Sequence, residues 1–190
     1  MYDALGLTNY RQYTKIKKSI LTLHNKSFKI MEQKAYFAGG CFWGVEHLMQ
    51  QQEGVLSVVS GYMGGYKDNP TYQEVKSHET GHAETVEITY DSEKVTYTTL
   101  LKLFMEIHDP TQLDRQGIDV GPQYRSEIFY RTEEEKSEAL DIIDILKNKG
   151  YDIVTKVTPA SKFWIAEEYH QNYCQVHGIE PECHIRVKRF

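Results

Sequence analysis

Three features are scarce or missing in this sequence, and each absence excludes a class of protein. Cysteine is scarce, with 3 residues in 190, which is too few for a disulfide-stabilised scaffold. No apolar run approaches the ~20 residues of a membrane-spanning helix. Positive charge is not in excess, because the formal net charge is −5, so a general nucleic-acid binder is not expected. The composition, 40% hydrophobic and 26% charged, indicates a globular protein, and we expect a cytoplasmic location.

The first 33 residues differ from the rest of the chain, because lysines are interleaved with apolar side chains. They contain neither the apolar segment nor the cleavage site that is typical of a secretory signal. They have a single arginine and an aspartate near the start, a composition that disfavours a transit peptide. We expect residues 1–33 to form a flexible extension; the alternative is that translation begins at Met31. Residues 34–190 are expected to form a single domain that includes a C-terminal tail at 175–190.

The hydrophobic pattern after residue 34 predicts alternating strands and helices. Strands are expected at 35–38, 55–59, 86–90, 127–130 and 152–157. Helices are expected at 42–49, 100–105, 132–150 and 166–175. Thr132 followed by Glu135 forms a capping-box pattern at the start of the third helix. Residues 109–125 have no clear period and predict a long loop, which in a compact domain is usually functional.

This order of elements predicts an α/β (α+β) two-layer sandwich. The β-α-β-β-α-β order is typical of a ferredoxin-like arrangement, in which flanking helices pack against one mixed sheet. A further helix and strand, a short last helix and an irregular C-terminal tail are expected to complete the domain.

Cys41 is the strongest candidate for chemistry in the sequence. It follows two glycines at a predicted strand end and opens a predicted helix. The first turn of a helix has unpaired N–H groups and a partial positive charge, so we expect a lowered thiol pKa and a reactive thiolate. Position alone leaves open the alternative of a buried structural cysteine.

Several other side chains are candidates for a pocket around this thiol. Phe42 shares the inward stripe of the helix, whereas Trp43 lies off that stripe and is the better candidate for a pocket wall. Glu84, at a strand start, would be a proton donor if burial raised its pKa; the ordinary alternative is a solvated surface acid. Asp119 and Tyr124 end the long loop, where a phenol can donate a hydrogen bond to a reacting oxygen.

The tail contains a small cluster of potential metal ligands, namely Cys174, His177, Cys183 and His184. Their spacing matches no familiar zinc finger well. The other interpretation is a resolving thiol, which would attack oxidised Cys41 to form a disulfide.

The segment Gly40-Cys41-Phe42-Trp43-Gly44 resembles the signature of A-type peptide methionine sulfoxide reductases. Further segments are similar to that family in the same order, and the resemblance covers about residues 34–173. They are Gly61-Tyr62, Gly64-Gly65, Thr71-Tyr72-Gln73-Glu74-Val75, Thr80-Gly81-His82-Ala83-Glu84, His108-Asp109-Pro110-Thr111-Gln112, Arg115-Gln116-Gly117, Asp119, Gly121, Gln123-Tyr124-Arg125-Ser126 and Ala166-Glu167-Glu168-Tyr169-His170-Gln171.

The resemblance implies an α/β sandwich and roles for the residues around the thiol. Cys41 would attack the sulfur of a methionine S-sulfoxide, either free or within a protein. Phe42 and Trp43 would hold the methyl group of the substrate, and His170 and Tyr173 would line the back of the site.

The resemblance also implies a polar half of the site. Glu84, Tyr72 and Tyr124 would hold and protonate the sulfoxide oxygen, and Asp119 would support them through water. The sulfoxide oxygen leaves poorly as oxide, so a neutral carboxylic acid and phenols suit this chemistry. The products would be methionine and a sulfenic acid on Cys41.

Recycling in the family uses a second cysteine and thioredoxin, and it requires no metal or organic cofactor. Cys183 lies close to the usual position of the resolving thiol, offset by a residue, and is favoured over Cys174. The tail departs from the Gly-rich sequence that many relatives carry, and residues 76–79 lack a cysteine and a glycine that many relatives have there. A monomer acting on oxidised proteins is expected.

Other functions compete with this one. A thiol peroxidase would also use a cysteine with a resolving partner, although peroxide needs no methyl-binding pocket. A non-catalytic redox- or zinc-responsive module would use the tail cluster. A cysteine hydrolase is the weakest alternative, because no histidine is convincingly paired with Asn or Asp.

Overall fold

A six-stranded sheet is the centre of the fold in this computed structural model, which describes residues 30–190. Its strands are β1 (Glu32–Gly39), β2 (Val55–Met63), β3 (Ala83–Asp91), β6 (Ser126–Tyr130), β7 (Lys156–Pro159) and β8 (Trp164–Ile165). A separate two-stranded ribbon consists of β4 (Arg115–Gln116) and β5 (Asp119–Val120). The helices are α1 (Phe42–Gln50), α2 (Tyr72–Lys76), α3 (Tyr97–Ile107), α4 (Glu133–Asn148) and α5 (Tyr173–His177). Most of the extension predicted at residues 1–33 lies outside the described residues, but β1 already begins at Glu32.

The strand order of the main sheet is β7-β6-β1-β3-β2-β8. All neighbours are antiparallel except β6 and β7, which are parallel. The inner four strands, β6-β1-β3-β2, have the antiparallel order of a ferredoxin-like unit. The predicted α/β sandwich with a mixed sheet and flanking helices is therefore confirmed.

The sheet has a large core on one face and a small one on the other. Successive residues of a strand point to opposite faces, so neighbours can belong to different cores. Phe37 belongs to the large core and stacks on Phe104 of α3, with ring centroids 4.8 Å apart. Ala38, the next residue, belongs to the small core, against which Phe163 packs. Both faces of β1 are thus buried near its end, where the chain turns into α1.

The capping patterns differ from the prediction in one respect. Thr132 caps α4 by accepting a hydrogen bond from the backbone N–H of Glu135, but the carboxylate of Glu135 binds Arg131 rather than closing a capping box. A complete capping box occurs instead at α2, where Thr71 and Glu74 bind each other's backbone N–H groups. The sequence pattern is the same at both sites, and the nearby Arg131 decides the outcome at α4.

The last predicted helix, at 166–175, is wrong in its extent. A 3₁₀ turn occupies Glu168–His170, and α5 begins only at Tyr173. Asn172 between them has a φ of 53°, which interrupts any continuous helix. The predicted strand at 152–157 is also displaced, because β7 spans Lys156–Pro159. Within residues 30–190, no helix is long and apolar enough to cross a membrane.

Candidate active site

Cys41 lies at the N-cap of α1, where the chain leaves the end of β1. Gly40 makes this turn with a φ of 93°, and a Cβ there would come within 2.7 Å of the Gln116 side chain. On the other side of the thiol, a Cβ at Gly44 would lie 2.3 Å from Nδ1 of His184. The glycines flanking this cysteine are therefore required by close packing as well as by the turn.

Glu84 lies at the start of β3, at the same end of the sheet as Cys41. Its side chain is only 2% exposed, and its Oε2 accepts a hydrogen bond of 3.1 Å from the backbone N–H of Phe42. Burial raises the pKa of Glu84 to about 8, and the charge of Asp119 contributes in the same direction. The carboxyl group is therefore mostly neutral at pH 7 and can donate a proton.

The predicted lowering of the Cys41 pKa is wrong. Burial raises the pKa of Cys41 well above its ordinary value, and the negative charge of Glu84 adds to the effect. The backbone N–H of Trp43, at the helix start, lowers the pKa as expected but does not compensate. The sequence pattern identified the favourable helix terminus and could not show the buried acid on a distant strand.

Two tyrosines complete the polar half of the site. Tyr72, the first residue of α2, lies close enough to Tyr124 for the two side chains to influence each other's pKa. Burial, followed by the charge of Glu84, raises the pKa of Tyr72 to about 12 and raises that of Tyr124 further. Both phenols therefore keep their protons at neutral pH and act as hydrogen-bond donors.

Glu167 holds the backbone of Tyr72, a role that the sequence did not reveal. Its Oε1 accepts 2.8 Å from the backbone N–H of Tyr72, and its Oε2 accepts 2.8 Å from the hydroxyl of Tyr62. The residue belongs to a segment that resembles the family, but nothing in the local pattern indicates these distant partners.

An aromatic wall borders the thiol on its other side. Trp43 stacks on Tyr173 with ring centroids 3.7 Å apart and an interplanar angle of 7°. Its indole N–H donates a hydrogen bond of 3.1 Å to Nδ1 of His170, which also packs 5.0 Å from the ring of Phe42 and 4.5 Å from that of Tyr72. Phe42 itself is 1% exposed, so Trp43 is the member of the Phe-Trp pair that reaches the pocket surface.

The three cysteines, all free thiols, line one cavity of about 250 Å³. Asp119 lines the same cavity, and burial together with the interaction with Asp119 raises the pKa of Cys183 to about 12. Cys174 is 3% exposed in α5, and its thiol donates to the backbone carbonyl of Trp43 at 3.6 Å. The structure therefore brings both candidate resolving cysteines to the side of the pocket that holds Cys41.

The tail does not arrange its histidines and cysteines as metal ligands. Nε2 of His184 faces the carbonyl of Gly39 at 2.9 Å, and Nδ1 of His177 faces the carbonyl of Tyr173 at 2.9 Å. Among residues 30–190, no group of three or more His, Cys, Asp or Glu side chains is placed to hold a metal ion. His184 instead packs against the glycines beside Cys41, a role that its sequence position did not indicate.

Comparison with known proteins gives consistent results. The family model of peptide methionine sulfoxide reductase matches residues 33–190. The chain is 51% identical over 150 residues to the peptide methionine sulfoxide reductase MsrA of Nautilia profundicola, covering 79% of this chain and 87% of that protein. It is 49% identical over 149 residues to the enzyme of the same name from Geobacter sulfurreducens, covering 77% of this chain and 92% of that protein.

Solved structures agree in fold. The reduced form of Mxr1 from Saccharomyces cerevisiae is 32% identical, with a TM-score of 0.77, and the match covers 82% of this chain and 92% of Mxr1. Methionine sulfoxide reductase A of Corynebacterium diphtheriae is 34% identical, with a TM-score of 0.70, and the match covers 77% and 76% of the two chains. The chain therefore belongs to the peptide methionine sulfoxide reductase family.

Proposed function

We propose that this protein reduces methionine S-sulfoxide, free or within oxidised proteins, to methionine, and so repairs oxidised proteins. The observation that carries the proposal is the buried carboxyl of Glu84, which accepts a hydrogen bond from the backbone N–H of Phe42 next to the Cys41 thiol. A sulfoxide needs a proton on its oxygen and an electron pair at its sulfur, and these two groups supply them.

The first step balances with the groups present. The Cys41 thiolate attacks the sulfoxide sulfur and supplies two electrons, while Glu84 gives its proton to the oxygen. The sulfur–oxygen bond breaks and the oxygen becomes the hydroxyl of a Cys41 sulfenic acid, leaving methionine. Tyr72 and Tyr124 donate hydrogen bonds to the oxygen, and Asp119 supports this network. The negative charge of Glu84 raises the pKa of Cys41, so the thiolate forms while Glu84 is protonated. The proton that the Cys41 thiol gives up replaces the one that Glu84 donates, and the carboxyl is neutral again after the step.

The aromatic wall supplies the binding energy and the orientation. Trp43 and Phe42 hold the methyl group of the sulfoxide, and His170 and Tyr173 support Trp43 from behind. Because the indole N–H binds Nδ1 of His170, the wall is fixed before substrate arrives. A rigid aromatic wall holds the bound sulfoxide in one orientation, with its sulfur near Cys41.

Recycling then uses the tail. The Cys183 thiol attacks the sulfenic sulfur, a disulfide forms and water leaves. Thioredoxin reduces this disulfide; the yeast protein Mxr1, whose structure has been solved in complex with Trx2, is similar in fold. We propose that no metal or organic cofactor takes part and that the protein is a cytoplasmic monomer. The peroxidase alternative leaves the aromatic wall and the buried Glu84 carboxyl without a role, because peroxide has no methyl group to hold.

The test is dithiothreitol-driven reduction of the separate S and R epimers of N-acetyl-methionine sulfoxide. Wild type is expected to turn over the S epimer alone, and Cys41→Ser is expected to turn over neither. Equal turnover of both epimers, or appreciable activity of Cys41→Ser, would contradict the proposal. Hydrogen peroxide in the same assay tests the peroxidase alternative directly.

A further inference from the structure

The last seven residues, 184–190, form no helix or strand, but buried His184 and Arg189 attach the segment to the rest of the fold. We call this segment the C-terminal anchor. It begins immediately after Cys183, so its contacts determine where that thiol can lie. Its docking site is the C-terminal end of α3 and the end of β1.

Glu106 of α3 is the main partner of the anchor. Its Oε2 accepts hydrogen bonds from Nε and Nη2 of Arg186 at 3.0 and 2.8 Å, and its Oε1 accepts from the backbone N–H of Arg189 at 3.2 Å. Glu106 is only 5% exposed. Its pKa is nevertheless lowered, because the Arg186 ion pair and these hydrogen bonds outweigh the cost of burial. A buried carboxylate with this many partners holds its contacts firmly.

The anchor also satisfies the carbonyl groups that end α3. The guanidinium of Arg189 donates to the carbonyls of Met105 and Glu106 at 2.7 and 3.3 Å. The backbone N–H of Val187 donates to the same Glu106 carbonyl at 2.8 Å. The last carbonyls of a helix have no hydrogen-bond partners within the helix. The C-terminal anchor supplies donors to them, so the same contacts stabilise both the end of α3 and the anchor.

His184 joins this anchor to the active site. The residue is 5% exposed, its Nε2 binds the carbonyl of Gly39, and its ring fills the space that Gly44 leaves open. Successive Cα atoms are about 3.8 Å apart, so fixing His184 at the end of β1 restricts Cys183 to the immediate surroundings of Cys41. A disulfide requires Cα atoms within about 4.4–6.8 Å, a condition that an unanchored tail would meet only rarely.

We propose that Glu106, through Arg186 and the backbone of Arg189, is a positioning residue for the disulfide-forming step. It holds the C-terminal anchor so that Cys183 stays close to Cys41 while the sulfenic acid forms. The proposal rests on the proposed function, in which Cys183 is the resolving thiol. It predicts a fault confined to the second step, because Glu106 touches none of the groups that reduce the sulfoxide.

The experiment separates the two steps in a single turnover without reductant. Wild type, Glu106→Gln and Arg186→Ala are mixed with one equivalent of the S-sulfoxide. Methionine formation reports the first step, and mass mapping of the Cys41–Cys183 disulfide reports the second. Dimedone traps any waiting sulfenic acid. The matched control is Glu133→Gln, which removes an exposed ion pair with Lys136 on α4.

The expected result is an unchanged rate of methionine formation with disulfide formation slowed ~10–100-fold in Glu106→Gln, the range expected when a reacting group is misplaced by about 1 Å. The dimedone adduct should rise in parallel, and Glu133→Gln should match wild type. Arg186→Ala removes a side chain that is 61% exposed, so it tests the same contact without leaving a hole in the core. Arg186→Lys should restore only part of the rate, since a single ammonium cannot reproduce the planar pair of N–H donors that arginine directs at Oε2 of Glu106.

Two outcomes would overturn the proposal. One is disulfide formation at the wild-type rate in both Glu106→Gln and Arg186→Ala. The other is an equal fall in both steps, which would indicate general loss of structure. Failure of the proposed function looks different: the wild type itself would then form no Cys41–Cys183 disulfide, or no methionine.

Discussion

The two halves of the candidate site are built in opposite ways. The reduction half, comprising Cys41, Glu84, Tyr72 and Tyr124, lies at the ends of strands and the starts of helices. Its acid is 2% exposed and bound to the backbone of Phe42. The recycling half, comprising Cys174 and Cys183, lies in the last part of the chain, where only the five-residue α5 is regular.

The difference follows from what each half must do. Proton transfer to a sulfoxide needs a carboxyl that stays neutral at pH 7, and burial by the sheet provides this. Disulfide exchange needs a thiol that lies close to Cys41 and can still be reached by a reductant protein, which burial within the sheet would prevent. The exposed apolar residues around the tail, among them Ile179 and Ile185, are consistent with that need for access.

The largest expected effect separates the two halves completely. Cys183→Ser should keep one methionine formed per protein and lose all turnover with thioredoxin, because the first step needs only the reduction half. The measurement is methionine released with and without thioredoxin, thioredoxin reductase and NADPH. Sustained thioredoxin-dependent turnover in Cys183→Ser, or a mapped Cys41–Cys174 bond in oxidised wild type, would show that Cys174 is the resolving thiol.

Within the reduction half, Glu84→Gln should slow methionine formation in a single turnover by ~10²-fold, the usual contribution of a general acid. The same change should lower the pKa of Cys41, because the negative charge of Glu84 is one of the causes that raise it. Alkylation of Cys41 by iodoacetamide at pH 8 should therefore become faster while sulfoxide reduction becomes slower. If both rates fell together, the substitution would have damaged the thiol environment rather than removed an acid.

The opposite changes in alkylation and sulfoxide reduction depend on contacts that the sequence predicted only in part. The helix that Cys41 opens and the ferredoxin-like arrangement of the sheet were predicted, because both follow from local apolar spacing and from the order of elements. The raised pKa of Cys41 was not predicted, because it depends on burial and on the carboxyl of Glu84. Glu84 lies 42 residues from Phe42 in the sequence, and strand pairing brings the two together. Similarity to the family identified Glu84 as a proton donor, whereas its position in the sequence alone left a solvated surface acid as the ordinary interpretation.

The tail was harder to predict for a physical reason. Its structure comes from single side chains that bind distant backbone rather than from a repeating pattern. Gln171 accepts from the N–H of Ser60 and donates to its carbonyl, and Glu46 binds the N–H of Asn172, which together impose the break between the 3₁₀ turn and α5. His184 fits against Gly44 in a similar way. None of these residues is close to its partner in the sequence. The helical spacing of apolar residues at 166–175 therefore predicted a continuous helix that does not form.

The pH dependence sharpens the comparison further. The pKa of Glu84 is raised to about 8, so its proton is present below that pH and lost above it. Above pH 8 the falling fraction of protonated Glu84 offsets the rising fraction of Cys41 thiolate, so the single-turnover rate should level off near pH 8 while alkylation of Cys41 keeps rising. Glu84→Gln should lose this plateau, and its slower rate should keep rising with the thiolate. A wild-type rate that kept rising to pH 10 in parallel with alkylation of Cys41 would assign the proton to another group, with Tyr124 the next candidate.

The smallest expected effect concerns the other cysteine of the tail. Cys174→Ser should leave both methionine formation and thioredoxin-dependent turnover within about twofold of wild type, because a serine hydroxyl can still donate to the Trp43 carbonyl in this buried place. Cys174 shares the cavity with Cys41, but its 3% exposure and its position in α5 keep it from a reductant protein. The assay pairs Cys174→Ser with Cys183→Ser in the same thioredoxin system. If Cys174→Ser formed one methionine normally but lost thioredoxin-dependent turnover, Cys174 would have to form a disulfide during recycling. The buried thiol of α5 would then become exposed during catalysis.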